Sequence, residues 1–215
     1  MTAKPTMMDG ADDAVIASWL HSFLFDRLAQ TREPVAISLP GGSTPFPVLE
    51  QLIAHDRDLP ADERLDFARL NIWPGDDRIV EESHPASNTG KLRELFEPVG
   101  AHVVTLSIME KVPHFALVWL GMGADGHIAS LFPNTDPQAD DPQKVRQLTP
   151  DPLPREAPFD RVTLTIPALL DSEQIVFVIR GEDKRNVFEE AARGANDLPV
   201  ARLLAAARQP VTCFA

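Results

Sequence analysis

The stretch Phe115-Ala116-Leu117-Val118-Trp119-Leu120-Gly121-Met122-Gly123-Ala124-Asp125-Gly126-His127-Ile128-Ala129-Ser130-Leu131-Phe132-Pro133 decides how the rest of this 215-residue chain is read. Its first six residues form a short, continuously apolar run, the pattern of a strand buried on both faces. Gly121, Gly123 and Gly126 then fall within six residues, which lets the backbone turn tightly and approach a ligand closely. His127 follows, bringing the one side chain whose unperturbed pKa lies near neutrality. Taken alone, the run reads equally as a glycine turn that carries an incidental histidine and as the rim of a site.

Outward from that strand, apolar periodicity alternates between the helical and the extended pattern. Residues 12–32 place Ile16, Trp19, Leu20, Phe23 and Leu28 at helical spacing, with Pro34 beyond the exit. Residues 35–39 read as a strand, 46–55 as a helix, 69–73 as a strand and 89–98 as a helix. Extended segments follow at 102–106, 115–120 and 174–180, then a helix at 183–194, another near 200–208, and a last strand at 211–214. Such alternation, with several strands continuously apolar, predicts an α/β fold: a Rossmann-like, mostly parallel sheet with helices on both faces. No Pro/Gly/Ser linker divides the chain, so residues 1–215 are expected to form a single domain. Residues 134–159, dense in Pro and Asp, read as a long irregular connection. Ligands of these sheets sit beyond the carboxyl ends of the strands, which directs the search for chemistry to the loops that follow them.

Composition narrows the partners. With 20 Lys and Arg against 32 Asp and Glu the formal net charge is −12, which argues against nucleic acid, because binding a phosphate backbone needs a basic surface. An anionic small molecule is compatible with this charge if its cations are local. No apolar run approaches the ~20 residues of a membrane span, and the first residues lack the apolar segment of a signal peptide. A cytoplasmic protein without membrane association is therefore expected. Cys213 is the sole cysteine, which excludes an intrachain disulfide and a thiolate metal cluster. Nothing in the residues selects an oligomeric state.

Three further segments follow predicted strands. Gly41-Gly42-Ser43-Thr44-Pro45 offers free amides, two hydroxyls and a helix N-terminus, the makings of an anion cradle, although a plain capped turn has the same composition. It is neither a P-loop nor a dinucleotide fingerprint, since no Lys follows the glycines and the spacing differs. Asp76-Asp77-Arg78, leading to Ser87-Asn88, can orient a polar substrate or form a solvated surface pair. In Gly181-Glu182-Asp183-Lys184 the lysine falls in the first turn of a helix, where the dipole disfavours a cation unless an anion is also present.

The order and context of these motifs, together with Arg161-Val162-Thr163-Leu164-Thr165, resemble the 6-phosphogluconolactonases over nearly the whole chain. The most specific element is the glycine-histidine run continued through Ser130-Leu131-Phe132-Pro133. The Gly-Gly-Ser-Thr-Pro turn is shared with the related glucosamine-6-phosphate deaminases. The resemblance implies a ribose-5-phosphate-isomerase-like fold and hydrolysis of 6-phospho-D-glucono-1,5-lactone, a small sugar-phosphate lactone, without metal or cofactor. It further implies that His127 is the general base, that Arg78 holds substrate oxygens or the developing negative charge, and that Asp76 orients Arg78 or the histidine. Gly41, Gly42, Ser43, Thr44 and Lys184 would hold the 6-phosphate. The chain departs from the family pattern at Asp77, where a glutamate is usual, and at Cys213-Phe214-Ala215, where a tryptophan and a closing aspartate are common.

Two rival readings share some of these features. A glucosamine-6-phosphate deaminase needs a similar phosphate cradle, but its signature has tyrosines and this chain contains none. A non-catalytic sugar-phosphate-binding domain of a transcription regulator would carry an N-terminal helix-turn-helix, whereas here the N-terminus runs directly into the first predicted helix.

Overall fold

The computed structural model describes residues 4–155 and 157–215. In chain order the elements are β1 (Thr6–Met8), α1 (Asp13–Gln30), β2 (Val35–Leu39), α2 (Pro45–Asp58), β3 (Leu70–Pro74), β4 (Asp76–Arg78), α3 (Asn88–Phe96), β5 (His102–Val103), β6 (Leu117–Leu120), β7 (Val145–Leu148), β8 (Arg161–Leu164), α4 (Ile166–Leu170), β9 (Ile175–Val178), α5 (Glu182–Ala192), α6 (Pro199–Ala206) and β10 (Val211–Phe214). Seven strands form a sheet in the order β1-β10-β9-β6-β2-β3-β5, and every described pairing in it is parallel.

The apolar strands are buried because side chains alternate between the two faces and each face has its own core. Leu117 and Trp119 of β6 enter one core while Val118 and Leu120 enter the other; β9 divides Val176 and Val178 from Ile175 and Phe177 in the same way. The first core is closed by α1, α2 and α3 through Ile16, Leu24, Leu49, Leu52, Leu92 and Phe96. The second is closed by α4, α5 and α6 through Leu169, Phe188, Val200, Leu203 and Leu204. Cys213 belongs to this second core, and burial pushes its thiol up to about 12, so it is a packing residue. No described helix is long and apolar enough to cross a membrane.

The expected elements recur with shifted ends. Asp12 caps α1, its carboxylate accepting the Val15 amide at 2.9 Å, where the periodicity placed it inside the helix. The extended segment predicted at 102–106 pairs over only two residues, His102 and Val103. Three features were not foreseen. The short helix α4 follows β8 at Ile166–Leu170. Thr6–Met8 adds a short edge strand against β10. A separate antiparallel sheet, β4-β8-β7, takes in Asp76–Arg78 and also Val145–Leu148, so residues 134–159 are not wholly irregular.

Gly75 joins the two sheets: its amide bonds to the Leu39 carbonyl at 3.0 Å and its carbonyl accepts from the Leu164 amide at 2.9 Å. Directly beyond it, the Asp77 carboxylate accepts from the amides of Asn88 at 2.6 Å, Thr89 at 2.9 Å and Arg78 at 2.8 Å, and from the Ser87 hydroxyl at 3.3 Å. An acid at the N-terminus of α3 satisfies amides that the helix leaves open and suits its dipole. The shorter side chain at this position therefore ties β4 to α3 directly. Asp77→Ala leaves these buried donors without an acceptor and is expected to cost about 2–4 kcal/mol, read as a lower urea midpoint. An unchanged midpoint would show that the tie is not needed for stability.

Candidate active site

The connections that leave β9, β6, β2 and β3, four neighbouring strands of the sheet, meet around one cleft of about 400 Å³. Gly41, Gly42, Ser43, Thr44, Asp76, Arg78, His127 and Lys184 all line it, so the structure brings together the eight residues for which the sequence suggested a site role. Asn88, Trp119, Met122, Val178 and Arg180 complete the wall. A larger hollow of about 600 Å³ beside Leu131, Arg146 and Leu148 contains none of these groups. Of its acids, Asp141 pairs with Arg146 and Asp136 with Arg202.

His127 is set by its own loop. The ring Nδ1 lies 2.6 Å from Asp125 Oδ1, the same carboxylate accepts the His127 amide at 3.2 Å, and Phe132 tilts against the ring with centroids 4.8 Å apart. The loop closes through the Gly123 amide to the His127 carbonyl at 3.0 Å. A Cβ at Gly123 would stand 2.2 Å from His127 Nδ1 and 2.5 Å from Asp125 Oδ1, so the histidine–aspartate contact exists because this residue has no side chain. The imidazole remains 32% exposed, open to a ligand in the cleft. Asp125, not Asp76, is thus the carboxylate that orients the histidine.

Asp76 and Arg78 leave the same strand, β4, and both line the cleft. Asp76 is buried; its carboxylate accepts a hydrogen bond from the Ser130 hydroxyl, and its backbone carbonyl accepts from Asn88 Nδ2 at 2.8 Å. Burial raises its carboxyl above the usual carboxylate value, against the opposing pull of the Ser130 hydrogen bond and the Arg78 charge. Arg78 donates from Nη1 to the Ala86 carbonyl and to Asn88 Oδ1, each at 3.0 Å, and its Nε has no partner among the described residues. Asn88 thus bridges the aspartate and the arginine. A Cβ at Gly41 would fall 1.9 Å from Asn88 Oδ1, so the bridge and the glycine loop can meet only if residue 41 is glycine.

The remaining wall is suited to an anion. Thr44, the N-cap of α2, makes no side-chain cap, and Pro45 and Pro47 carry no N–H, so the donors at this end are the amides of Gly42, Ser43 and Thr44 and the hydroxyls of Ser43 and Thr44, none of them hydrogen-bonded among the described residues. Lys184 sits in the first turn of α5 and makes no ion pair among the described residues. Behind the cleft, Arg161 is buried with its guanidinium on the Phe159 and Ala157 carbonyls, and Thr163 Oγ1 accepts the Ser130 amide at 3.2 Å. Burial and then the nearby Arg78 charge lower the Arg161 pKa from its ordinary value.

The sequence assigned no role of their own to Asn88 and Arg180, which line the cleft, or to Asp125 and Ser130, which contact the lining residues His127 and Asp76. Asp125 was detectable, because an acid two residues before a histidine in a tight glycine turn is within reach of its ring. Ser130 and Arg180 depend on contacts with Asp76 and Asp13, 54 and 167 residues away, which no local signal carries.

Residues 13–105 and 97–212 match the family of glucosamine-6-phosphate isomerases/6-phosphogluconolactonase. A 6-phosphogluconolactonase of Helicobacter pylori strain J99 is 30% identical over 201 residues, covering 84% of this chain and 83% of the relative. One from Neisseria meningitidis serogroup A is 31% identical over 184 residues, 74% of this chain and 75% of the relative. In structure, the chain is similar to the 6-phosphogluconolactonase of Trypanosoma brucei with a TM-score of 0.79, at 23% identity, over 99% of this chain and 97% of that one. The enzyme of Shewanella baltica OS155 gives a TM-score of 0.78 at 24% identity, over 100% and 98%. The chain therefore belongs to the glucosamine-6-phosphate isomerase/6-phosphogluconolactonase family, with 6-phosphogluconolactonases as its relatives.

Proposed function

We propose that the chain, as one catalytic domain, is a carboxylic ester hydrolase that converts 6-phospho-D-glucono-1,5-lactone to 6-phospho-D-gluconate. This is the second step of the oxidative pentose phosphate pathway, carried out in the cytoplasm without a cofactor. The observation that carries this reading is the shared cleft: a histidine held by a carboxylate lies in the same space as a lysine with no ion pair among the described residues and the Gly41–Thr44 turn that leads into α2. A base and an anion seat in one cleft suit a small phosphorylated ester. Support also comes from the curated relatives, which carry that activity in their names.

The chemistry follows from the donors and acceptors. An ionised carboxylate only accepts hydrogen bonds, so Asp125 keeps the proton of neutral His127 on Nδ1 and leaves Nε2 as an acceptor. Nε2 takes a proton from water as the water oxygen attacks C1, and the carbonyl electron pair moves onto its oxygen. The uncommitted part of the Arg78 fork stabilises that oxyanion, while Asp76 and Asn88 fix the plane of the guanidinium. When the C1–O bond of the ring breaks, the imidazolium returns its proton to the departing ring oxygen. The product acid then ionises, so each turnover releases one proton into solution. Gly41, Gly42, Ser43, Thr44 and Lys184 seat the 6-phosphate, which supplies the anion that a lysine at a helix N-terminus requires.

Continuous titration of the acid released from freshly prepared phosphogluconolactone tests the reading. His127→Ala is expected to lower kcat by about 10²–10⁴-fold with the affinity for 6-phosphogluconate kept. Wild-type protein that gives no rate above spontaneous hydrolysis would sink the proposal. Lys184→Ala should raise KM about tenfold or more with kcat little changed, and an unchanged KM would remove the lysine from the phosphate seat.

Asp76 gives a test that couples function to stability. Its folded-state value is raised, so as pH climbs the unfolded chain ionises first and the native state loses stability. Asp76→Asn lacks this penalty. Its urea midpoint should exceed that of the wild type at about pH 7 and converge with it toward about pH 4, while lactone turnover falls. Equal midpoints at both pH values would show that the carboxylate carries no burial penalty.

A further inference from the structure

Arg180 leaves β9 one residue before Gly181, the N-cap of α5, and four residues before Lys184, and it lines the same cleft. Its side chain is 39% exposed, and its recorded hydrogen bond is a single one, from Nη2 to Asp13 Oδ1 of α1 at 2.9 Å. This one-point contact leaves the rest of the fork without a partner among the described residues, although an arginine can give a carboxylate two parallel bonds. The β1–α1 connection, just ahead of Asp13, supplies Asp9, which holds Arg185 at 2.8 Å. The two arginines that flank Lys184 are thus each held by an acid from residues 9–13, and the lysine between them is not. Arg185 is further held by Glu189 in its own helix at 2.9 Å and does not line the cleft, which leaves Arg180 as the exchangeable one of the pair.

We propose that Arg180 is a second cation of the phosphate end of the cleft and that Asp13 holds it in reserve, the arginine exchanging the Asp13 carboxylate for the substrate phosphate when the sugar phosphate binds. The inference rests on the lactonase reading of the site and adds a specificity-determining residue to it. An exposed ion pair is weak, so the exchange is undemanding, and a phosphate dianion offers the arginine more charge and a bidentate partner. The chain as a whole carries a charge of −12 and repels a dianion, so capture depends on cations concentrated at the cleft. Asp13 also explains how such a cation is kept oriented in the free protein. It lies in the first turn of α1, where the helix dipole independently favours an acid.

The two residues then act on binding with opposite signs. Arg180→Gln is expected to raise KM for the phosphorylated lactone, and Kd for 6-phosphogluconate measured by calorimetry, about tenfold with kcat little changed. Asp13→Asn removes the competing carboxylate and is expected to lower both constants, by up to about fivefold. In the Arg180→Gln background, Asp13→Asn should change neither. Gluconate, which lacks the phosphate, should bind both variants as it binds the wild type, and thermal melts of each variant separate binding from folding. The proposal is overturned if Arg180→Gln leaves both constants at wild-type values, if it weakens gluconate as much as 6-phosphogluconate, or if Asp13→Asn binds no more tightly than wild type. Wild-type turnover of the lactone, measured alongside, distinguishes failure of this proposal from failure of the lactonase reading, because the calorimetric comparison does not depend on turnover.

Discussion

Four neighbouring parallel strands, β9, β6, β2 and β3, end at the same edge of the sheet, and the cleft depends on that alignment. Parallel pairing forces it, because parallel strands bury both faces and send every return connection over the sheet rather than back along it. Each buried strand contributes alternately to two cores, so a shift by one residue would exchange Leu117 and Trp119 with Val118 and Leu120 and spoil both at once. The register is therefore fixed by packing far from the cleft. Between β2 and β6 the order of strands reverses direction along the chain, and the Gly41 and Gly121 loops leave the sheet at that switch point.

Within this frame the polar groups are held by close approaches that admit no side chain at two positions. Gly123 lets Asp125 reach the His127 ring, and Gly41 lets Asn88 stand between Asp76 and Arg78. The buried Asp76 is costly to ionise, and the nearby Arg78 and Ser130 offset part of that cost. The antiparallel sheet β4-β8-β7 serves the same end, since it carries Asp76 and Arg78 and places Thr163 behind Ser130.

Much of this was legible in the residues. The runs 35–39 and 211–214 emerge as strands with the predicted bounds because they are apolar, β-branched and bounded by turn residues. All eight singled-out site residues line one cleft, because each followed a predicted strand. What stayed hidden depends on distant partners. Thr6–Met8 is too short for periodicity and becomes a strand only because β10 presents an edge to it. Val145–Leu148 alternates weakly among prolines and aspartates and is ordered by pairing with β8. Of the two partners expected for Asp76, Arg78 or the histidine, the histidine contacts Asp125 instead, while Asp76 meets Arg78 through Asn88.

The central claim is an orientation: a sugar phosphate lies across the cleft with its phosphate on the Gly41–Thr44 turn and the Lys184 side, and with C1 beside His127. A crystal structure of the protein with 6-phosphogluconate bound tests this most directly. The account predicts phosphate oxygens on the amides of Gly42, Ser43 and Thr44 and on Lys184 Nζ, and the C1 carboxylate within hydrogen-bond reach of His127 Nε2. A phosphate seated against Arg78 and His127 instead, with C1 at the glycine turn, would contradict it.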